Sequence, residues 1–115
     1  MCLRVVIVDD HARFRAQAAE LLTLERFSVV GDAETGARGI ELSRALAPDL
    51  VLLDVGLPDA NGFDLVAAMR ATGAAVVLTS SRSSRDYGTR VSDSGADGFI
   101  SKAELSGEAI RSLLM

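Results

Sequence analysis

The chain has little that would stabilise it covalently or anchor it in a membrane. It has one cysteine, Cys2, so no internal disulfide can form, and a reducing compartment is the expected setting. No apolar stretch approaches the ~18 residues needed to cross a bilayer, and no charged-then-apolar leader precedes the first apolar run. The expectation is a soluble, cytoplasmic protein with no membrane partner. Basic residues are not in excess: 12 Lys and Arg against 16 Asp and Glu give a net charge of −4. That balance argues against this domain gripping nucleic acid through its own surface. The loose cluster of Arg82, Arg85 and Arg90 reads as a solvated helix face. There is no internal repeat and no low-complexity linker.

What is present is a chain of 115 residues, 49% of them hydrophobic. By length, residues 1–115 are expected to form a single domain, with no effector domain in this stretch. A compact domain of this size buries roughly two thirds of the surface its unfolded chain exposes, enough for a core without disulfides or a structural metal.

Short β-branched runs alternate with longer amphipathic ones, the pattern of repeated βαβ units. Strands are expected at 4–8, 27–32, 50–54, 75–79 and 97–100. Helices are expected at 12–24, 37–46, 63–71 and 105–114, with a polar, poorly periodic helix between 81 and 94. In 12–24, Phe14, Ala18, Leu21 and Leu22 recur at helical spacing. Pro48 stops the second helix, because the residue before proline avoids helical dihedrals. Gly62 opens the third helix and Gly73 follows its end. Residues 50–54 are apolar on both faces, as in a central parallel strand. Five strands and five helices fit a three-layer α/β sandwich.

Four of the apolar runs end in residues suited to holding a metal or a phosphoryl group. Residues 5–8 lead into Asp9-Asp10 and residues 50–53 into Asp54. Residues 76–78 lead through Thr79 to Ser80, and Phe99-Ile100 through Ser101 to Lys102. In an open parallel sheet the carboxyl ends of the strands gather on one edge, where such folds bind ligands. Helix capping accounts for one of Asp9 and Asp10, since Asp accepts hydrogen bonds from first-turn amides. It leaves the adjacent carboxylates repelling each other by on the order of 4 kcal/mol at ~4 Å, and Asp54 adds a third charge. A hard divalent cation with oxygen ligands neutralises them, and Mg²⁺, which uses few carboxylates and keeps several waters, suits the set. His11 adds little for a metal that prefers oxygen and is expected to line the start of the first helix. Asp54 at the end of a buried strand needs a partner. It reads either as a strand-terminating residue before Val55-Gly56-Leu57-Pro58 or as a carboxylate nucleophile for a phosphoryl group. Lys102 would supply positive charge on the same edge. Thr79, Ser80 and Ser81 all carry hydroxyls, and strand alternation does not choose among them.

Together these residues resemble the receiver domain of two-component response regulators, over essentially the whole chain. The matching segments are Val8-Asp9-Asp10-His11, then Asp54 followed by Leu57-Pro58-Asp59-Ala60-Asn61-Gly62, and Gly95-Ala96-Asp97-Gly98-Phe99-Ile100-Ser101-Lys102. The Asp-Asp-His start with Phe14-Arg15, and the Gly-Ala-Asp-Gly stretch, resemble the subfamily often joined to a helix-turn-helix DNA-binding domain. The resemblance implies a doubly wound, flavodoxin-like (βα)5 fold with strand order 2-1-3-4-5. It implies Asp54 as phosphoacceptor and Mg²⁺ held by Asp9, Asp10, Asp54 and the carbonyl of Gly56. Lys102 would pair with a phosphoryl oxygen, Ser80 would be the switch hydroxyl, and Phe99 the aromatic that changes rotamer. Implied partners are a sensor histidine kinase or phosphotransfer protein, and a homodimer through the last two helices and fifth strand. The domain would be a phosphoacceptor rather than an enzyme, with self-catalysed transfer and slow autodephosphorylation at most, controlling transcription through an attached or partner effector.

Three departures from the family pattern stand out. Ala103 follows Lys102 where proline is common, which removes the usual reason for a cis bond. The stretch from Asp54 to Ser80 is slightly short, trimming the end of the third helix. Phe99 lacks the hydroxyl of the more common tyrosine. The competing readings are a receiver-like interaction module indifferent to phosphorylation, and a phosphohydrolase or nucleotide-binding domain. The last two lack support: no glycine-rich loop follows the first strand, and His11 stands where an Asp-x-Asp pair needs its second carboxylate.

Overall fold

The computed structural model describes residues 2–114. Strands β1 (Arg4–Val8), β2 (Ser28–Ala33), β3 (Leu50–Asp54), β4 (Ala75–Ser80) and β5 (Gly98–Ser101) form one parallel sheet. Their order, β2-β1-β3-β4-β5, is the expected doubly wound one. The helices are α1 (Ala12–Leu24), α2 (Gly36–Leu46), α3 (Gly62–Arg70), α4 (Arg90–Asp93) and α5 (Gly107–Leu114). Among the described residues, no helix is long and apolar enough to cross a membrane.

Both faces of the central strands are buried, and alternation sorts their side chains into two cores. Val5, Ile7, Leu50, Leu52, Val77 and Ile100 pack with Ala18 and Leu22 of α1 and Ile110 of α5. Val6, Val8, Val51, Leu53, Val76 and Leu78 pack with Phe63, Val66 and Met69 of α3, and with Ile40, Leu42 and Leu46 of α2. Each fully buried Leu or Val contributes about 1.5–3 kcal/mol relative to exposure, so these strands are held from two sides.

Local signals set the helix ends. The Thr35 hydroxyl accepts from the Arg38 amide (3.1 Å) and the Asn61 side chain from the Phe63 amide (2.9 Å), capping α2 and α3. Helix α2 stops at Ala47, left-handed at φ 46°, immediately before Pro48. Helix α5 begins later than expected, because residues Lys102–Glu104 form a 3-10 turn and Ser106 Oγ accepts from the Ala109 amide (3.0 Å).

The helix expected between 81 and 94 is not formed as such. In its place are a 3-10 turn, Ser84–Tyr87, and the single turn of α4. Gly88, at φ 58° and ψ −127°, breaks the backbone between them. From 81 to 90 every residue is exposed except Tyr87, so no apolar stripe exists to dock a continuous helix.

Candidate functional site

The site lies at the carboxyl edge of the sheet, across the ends of β1 and β3, where the chain order reverses direction. The Asp9 amide donates to Ala33 O (2.9 Å), which continues the strand ladder by one residue and turns the Asp9 side chain inward, 1% exposed. Asp10 begins the turn into α1 and is about one third exposed. Asp54 closes β3 with its side chain 6% exposed. Lys102, immediately after β5, brings Nζ to 2.7 Å from Asp9 Oδ2 and 3.6 Å from Asp54 Oδ1. Of the three carboxylates, hydroxyl and ammonium expected to converge, the carboxylates and the ammonium do so, while the Ser80 hydroxyl is engaged by Tyr87 and the Arg82 amide.

Two supports for this arrangement were not apparent from sequence. Phe14, in the first turn of α1, places its ring 4.5 Å from Lys102 Nζ, a cation–π contact that steadies the ammonium. Arg15 donates through Nη1 to Asp9 O (2.7 Å) and through Nε to Asp32 Oδ2 (2.9 Å), tying the acidic turn to the end of β2. Both residues stand in the Phe14-Arg15 pair, the one signal that pointed to them. His11 is the N-cap residue of α1, as expected, but its ring also leans on the acidic pair. Nδ1 lies 3.0 Å from Asp9 Oδ1 and 3.1 Å from Asp10 Oδ1.

Burial, with the crowding of negative charge, shows in Asp54, whose carboxyl is pushed up to about 6. Burial is the main cause and the Asp9 carboxylate the next; Lys102 opposes them, Asp10 raises the value further and His11 lowers it. One ligand atom from each of Asp9, Asp10, His11 and Asp54 falls within a 4.8 Å cluster. Asp9 Oδ2 is buried and receives no aligned hydrogen bond: the Lys102 ammonium is near enough for charge attraction but off the hydrogen-bonding direction. A buried carboxylate oxygen without a directed donor, among other hard oxygens, fits a divalent cation such as Mg²⁺.

The loop after Asp54 is braced at several points. Gly56 bridges Asn61 across it, and the Gly62 amide donates to Val55 O (2.7 Å). A Cβ at Gly62 would stand 2.4 Å from the Asp54 carbonyl oxygen, so glycine alone permits α3 to start this close to the strand end. Asp59 reaches out of the loop to accept from the Gly36 (2.8 Å) and Ala37 (3.0 Å) amides at the start of α2. Those two bonds, Ala37's first, hold its carboxyl below the usual carboxylate value.

On the other flank, β4 pairs Thr79 with Asp54 and Ser80 with Ser101. Ser80 follows Val76 and Leu78 on the α3 side of the sheet. Its hydroxyl bonds Tyr87 Oη (2.6 Å) and accepts from the Arg82 amide (3.0 Å), rather than bonding the carboxylates. Phe99 is half-buried against Tyr87, ring centroids 5.9 Å apart. Tyr87 carried no signal in the sequence, because the segment holding it has no periodicity. Among the described residues all peptide bonds are trans, including Lys102–Ala103.

Comparison with known proteins extends this geometry. The family model for the response regulator receiver domain matches residues 5–114. The transcription regulator BvgA of Bordetella pertussis is 34% identical over 110 residues, covering 93% of this chain and 52% of that protein. The nitrate/nitrite response regulator NarL of Escherichia coli is 35% identical over 102 residues, covering 85% of this chain and 47% of that protein. The chain thus spans about half the length of the curated relatives it matches. Among solved structures, the receiver domain of the putative response regulator NarL from Mycobacterium tuberculosis superposes with a TM-score of 0.85 at 34% identity, covering 98% of this chain and 94% of that one.

Proposed function

This chain belongs to the response regulator receiver family of two-component signalling, and on that premise we propose that Asp54 accepts a phosphoryl group from the phosphohistidine of a sensor kinase or phosphotransfer protein. The observation that carries this reading is a buried Asp54 carboxylate beside the equally buried Asp9, with Lys102 Nζ 3.6 Å away. A nucleophile and the charge needed to receive an anion share one small space. An Asp54 oxygen attacks phosphorus, the P–N bond breaks, and the electron pair leaves on the imidazole nitrogen, which takes up a proton. The product is an acyl phosphate on Asp54. Most of the rate comes from positioning and charge stabilisation rather than from acid–base chemistry.

The chain's own residues divide this task. Lys102, steadied by Phe14, moves from the carboxylates toward the phosphoryl oxygens. Asp9, Asp10 and Asp54, with the Gly56 carbonyl, would hold Mg²⁺. When bound, the ion neutralises the carboxylates and the charge on the transferring oxygens. Ser80 is the hydroxyl that then meets the phosphoryl group, and Phe99 repacks with it. The readout surface is α4, β5 and α5; a groove of about 500 Å³ runs between the 3-10 turn Ser84–Tyr87, β5 and α5, past Arg85, Phe99, Glu104 and Leu113. A second copy of the chain, or an effector that controls transcription in the cytoplasm, would read the change there. The domain signals by holding the phosphoryl group, and hydrolysis at Asp54 resets it slowly.

The test is labelling by a small-molecule phosphodonor such as acetyl phosphate. We expect one phosphoryl group per chain with Mg²⁺, and none after chelation or in Asp54→Asn. Labelling that persists in Asp54→Asn overturns the assignment.

A further inference from the structure

Ser80 Oγ and Tyr87 Oη are 2.6 Å apart, and Tyr87 is the sole inward-turned residue of an otherwise exposed segment from 81 to 90. Its ring packs edge-on against Phe63 of α3 (centroids 5.2 Å, planes at 71°) and tilted against Phe99 of β5. Phe63 is in turn covered by the Arg90 guanidinium, 4.6 Å from the ring centroid. Two aromatic neighbours and the Ser80 hydroxyl therefore hold Tyr87, and with it the 3-10 turn 84–87, to the body of the domain; nearer β4, the Ser101 hydroxyl donates to Arg82 O (3.1 Å). Phe99 offers no hydroxyl and Tyr87 is the one phenol in the chain, so Ser80 has no other phenol to bond.

From this geometry we infer that Tyr87 is a positioning residue whose phenol competes with the phosphoryl group for the Ser80 hydroxyl. The inference rests on the reading of Asp54 as phosphoacceptor. A serine hydroxyl has one proton and two lone pairs. The Arg82 amide occupies one lone pair. The short contact to Tyr87 takes either the proton or the remaining lone pair and fixes the rotamer. To meet a phosphoryl oxygen on Asp54, Ser80 Oγ must leave the rotamer held by Tyr87, whichever hydroxyl donates in that pair, and the O···O contact lengthens. The segment 81–90 then loses the polar half of its Tyr87 anchor and is held by aromatic packing and by the Ser101 hydroxyl, which donates to Arg82 O (3.1 Å). Phosphorylation is thereby coupled to the mobility of the surface proposed as the readout. The coupling is reciprocal: whatever releases Tyr87 strengthens phosphoryl binding by the same factor.

The chain has no tryptophan and one tyrosine, so its intrinsic fluorescence reports Tyr87 alone. The experiment titrates the whole protein with beryllium trifluoride, a phosphoryl mimic, in the presence of Mg²⁺. We expect tyrosine emission to change as the mimic binds. In Ser80→Ala the emission starts from the released value and does not respond. Tyr87→Phe, which keeps the ring packing, is expected to bind the mimic roughly 3- to 10-fold more tightly by calorimetry, the size of one net hydrogen bond. Equal or weaker binding by Tyr87→Phe, or binding to wild type with no change in emission, overturns the role of Tyr87. The parent reading fails separately, and takes the inference with it, if wild type does not bind the mimic or Asp54→Asn binds it as well.

Discussion

The two flanks of the site are built differently. At the ends of β1 and β3, Asp9 and Asp54 continue strands whose residues from 5 to 8 and from 50 to 53 are at most 1% exposed. Their backbones are fixed before any chemistry begins. At the end of β4, Ser80 opens onto ten residues of which only Tyr87 is not exposed. The first flank suits a reaction that needs oxygen atoms placed within a fraction of an ångström. The second suits a response that needs a segment to move at small cost. On the proposed reading, chemistry sits on the rigid side of the cleft and signalling on the loose side.

Stability measurements should separate the flanks most sharply. Leu53→Ala, directly before Asp54 and fully buried, is expected to lose about 2–5 kcal/mol in urea unfolding. Val91→Ala in α4, only partly buried, should lose less than ~1 kcal/mol. Similar losses at both positions would erase the distinction.

The second effect in size is set by Asp54. Its folded-state value of about 6 lies above the ordinary 3.8, so the native chain holds a proton that the unfolded chain has released. Stability therefore falls as pH rises from 3.8 to about 6, and the full penalty persists above that window. In chelating buffer at neutral pH, Asp54→Asn should be the more stable chain by about 1–2 kcal/mol, after discounting for solvent screening. The advantage should vanish on acidification below the window. An Asn variant no more stable than wild type at neutral pH would show that the carboxylates are not crowded.

The struts of the rigid flank come next. Arg15→Met frees the Asp9 carbonyl and should weaken Mg²⁺ binding on the order of 10-fold by calorimetry, with little change in urea midpoint. Unchanged Mg²⁺ affinity would remove Arg15 from the cradle. The smallest change is expected for Asp59→Ala, which leaves two α2 amides without their acceptor. Because the Asp59 carboxyl is lowered in the fold, its contribution is present above the ordinary carboxylate value and is lost as pH falls through the lowered one. A slightly lower urea midpoint at neutral pH, absent in strong acid, is the expected result.

The rigid flank was legible in the amino-acid sequence because its causes are local. The runs 5–8 and 50–53 are continuous and apolar, and the acidic residues follow them at once. β1, α1 and β3 accordingly have the expected limits. The loose flank was not legible. Between 81 and 94 the expected helix required an apolar stripe, and the segment instead has one inward residue from 81 to 90 and a left-handed break at Gly88. Which hydroxyl of Thr79, Ser80 and Ser81 faces α3 depended on the neighbouring layer rather than on alternation. Phe14, Arg15 and Asp59 act on residues distant in sequence or through backbone atoms, where residue type alone carries no instruction.

The missing side chain at Gly62 has a mechanical consequence. With the first turn of α3 seated against the Asp54 carbonyl and its amide bonded to Val55 O, there is no slack between strand and helix. A tug on the Asp54 main chain is delivered to α3 directly, whereas the same tug at Ser80 enters an exposed segment of short turns.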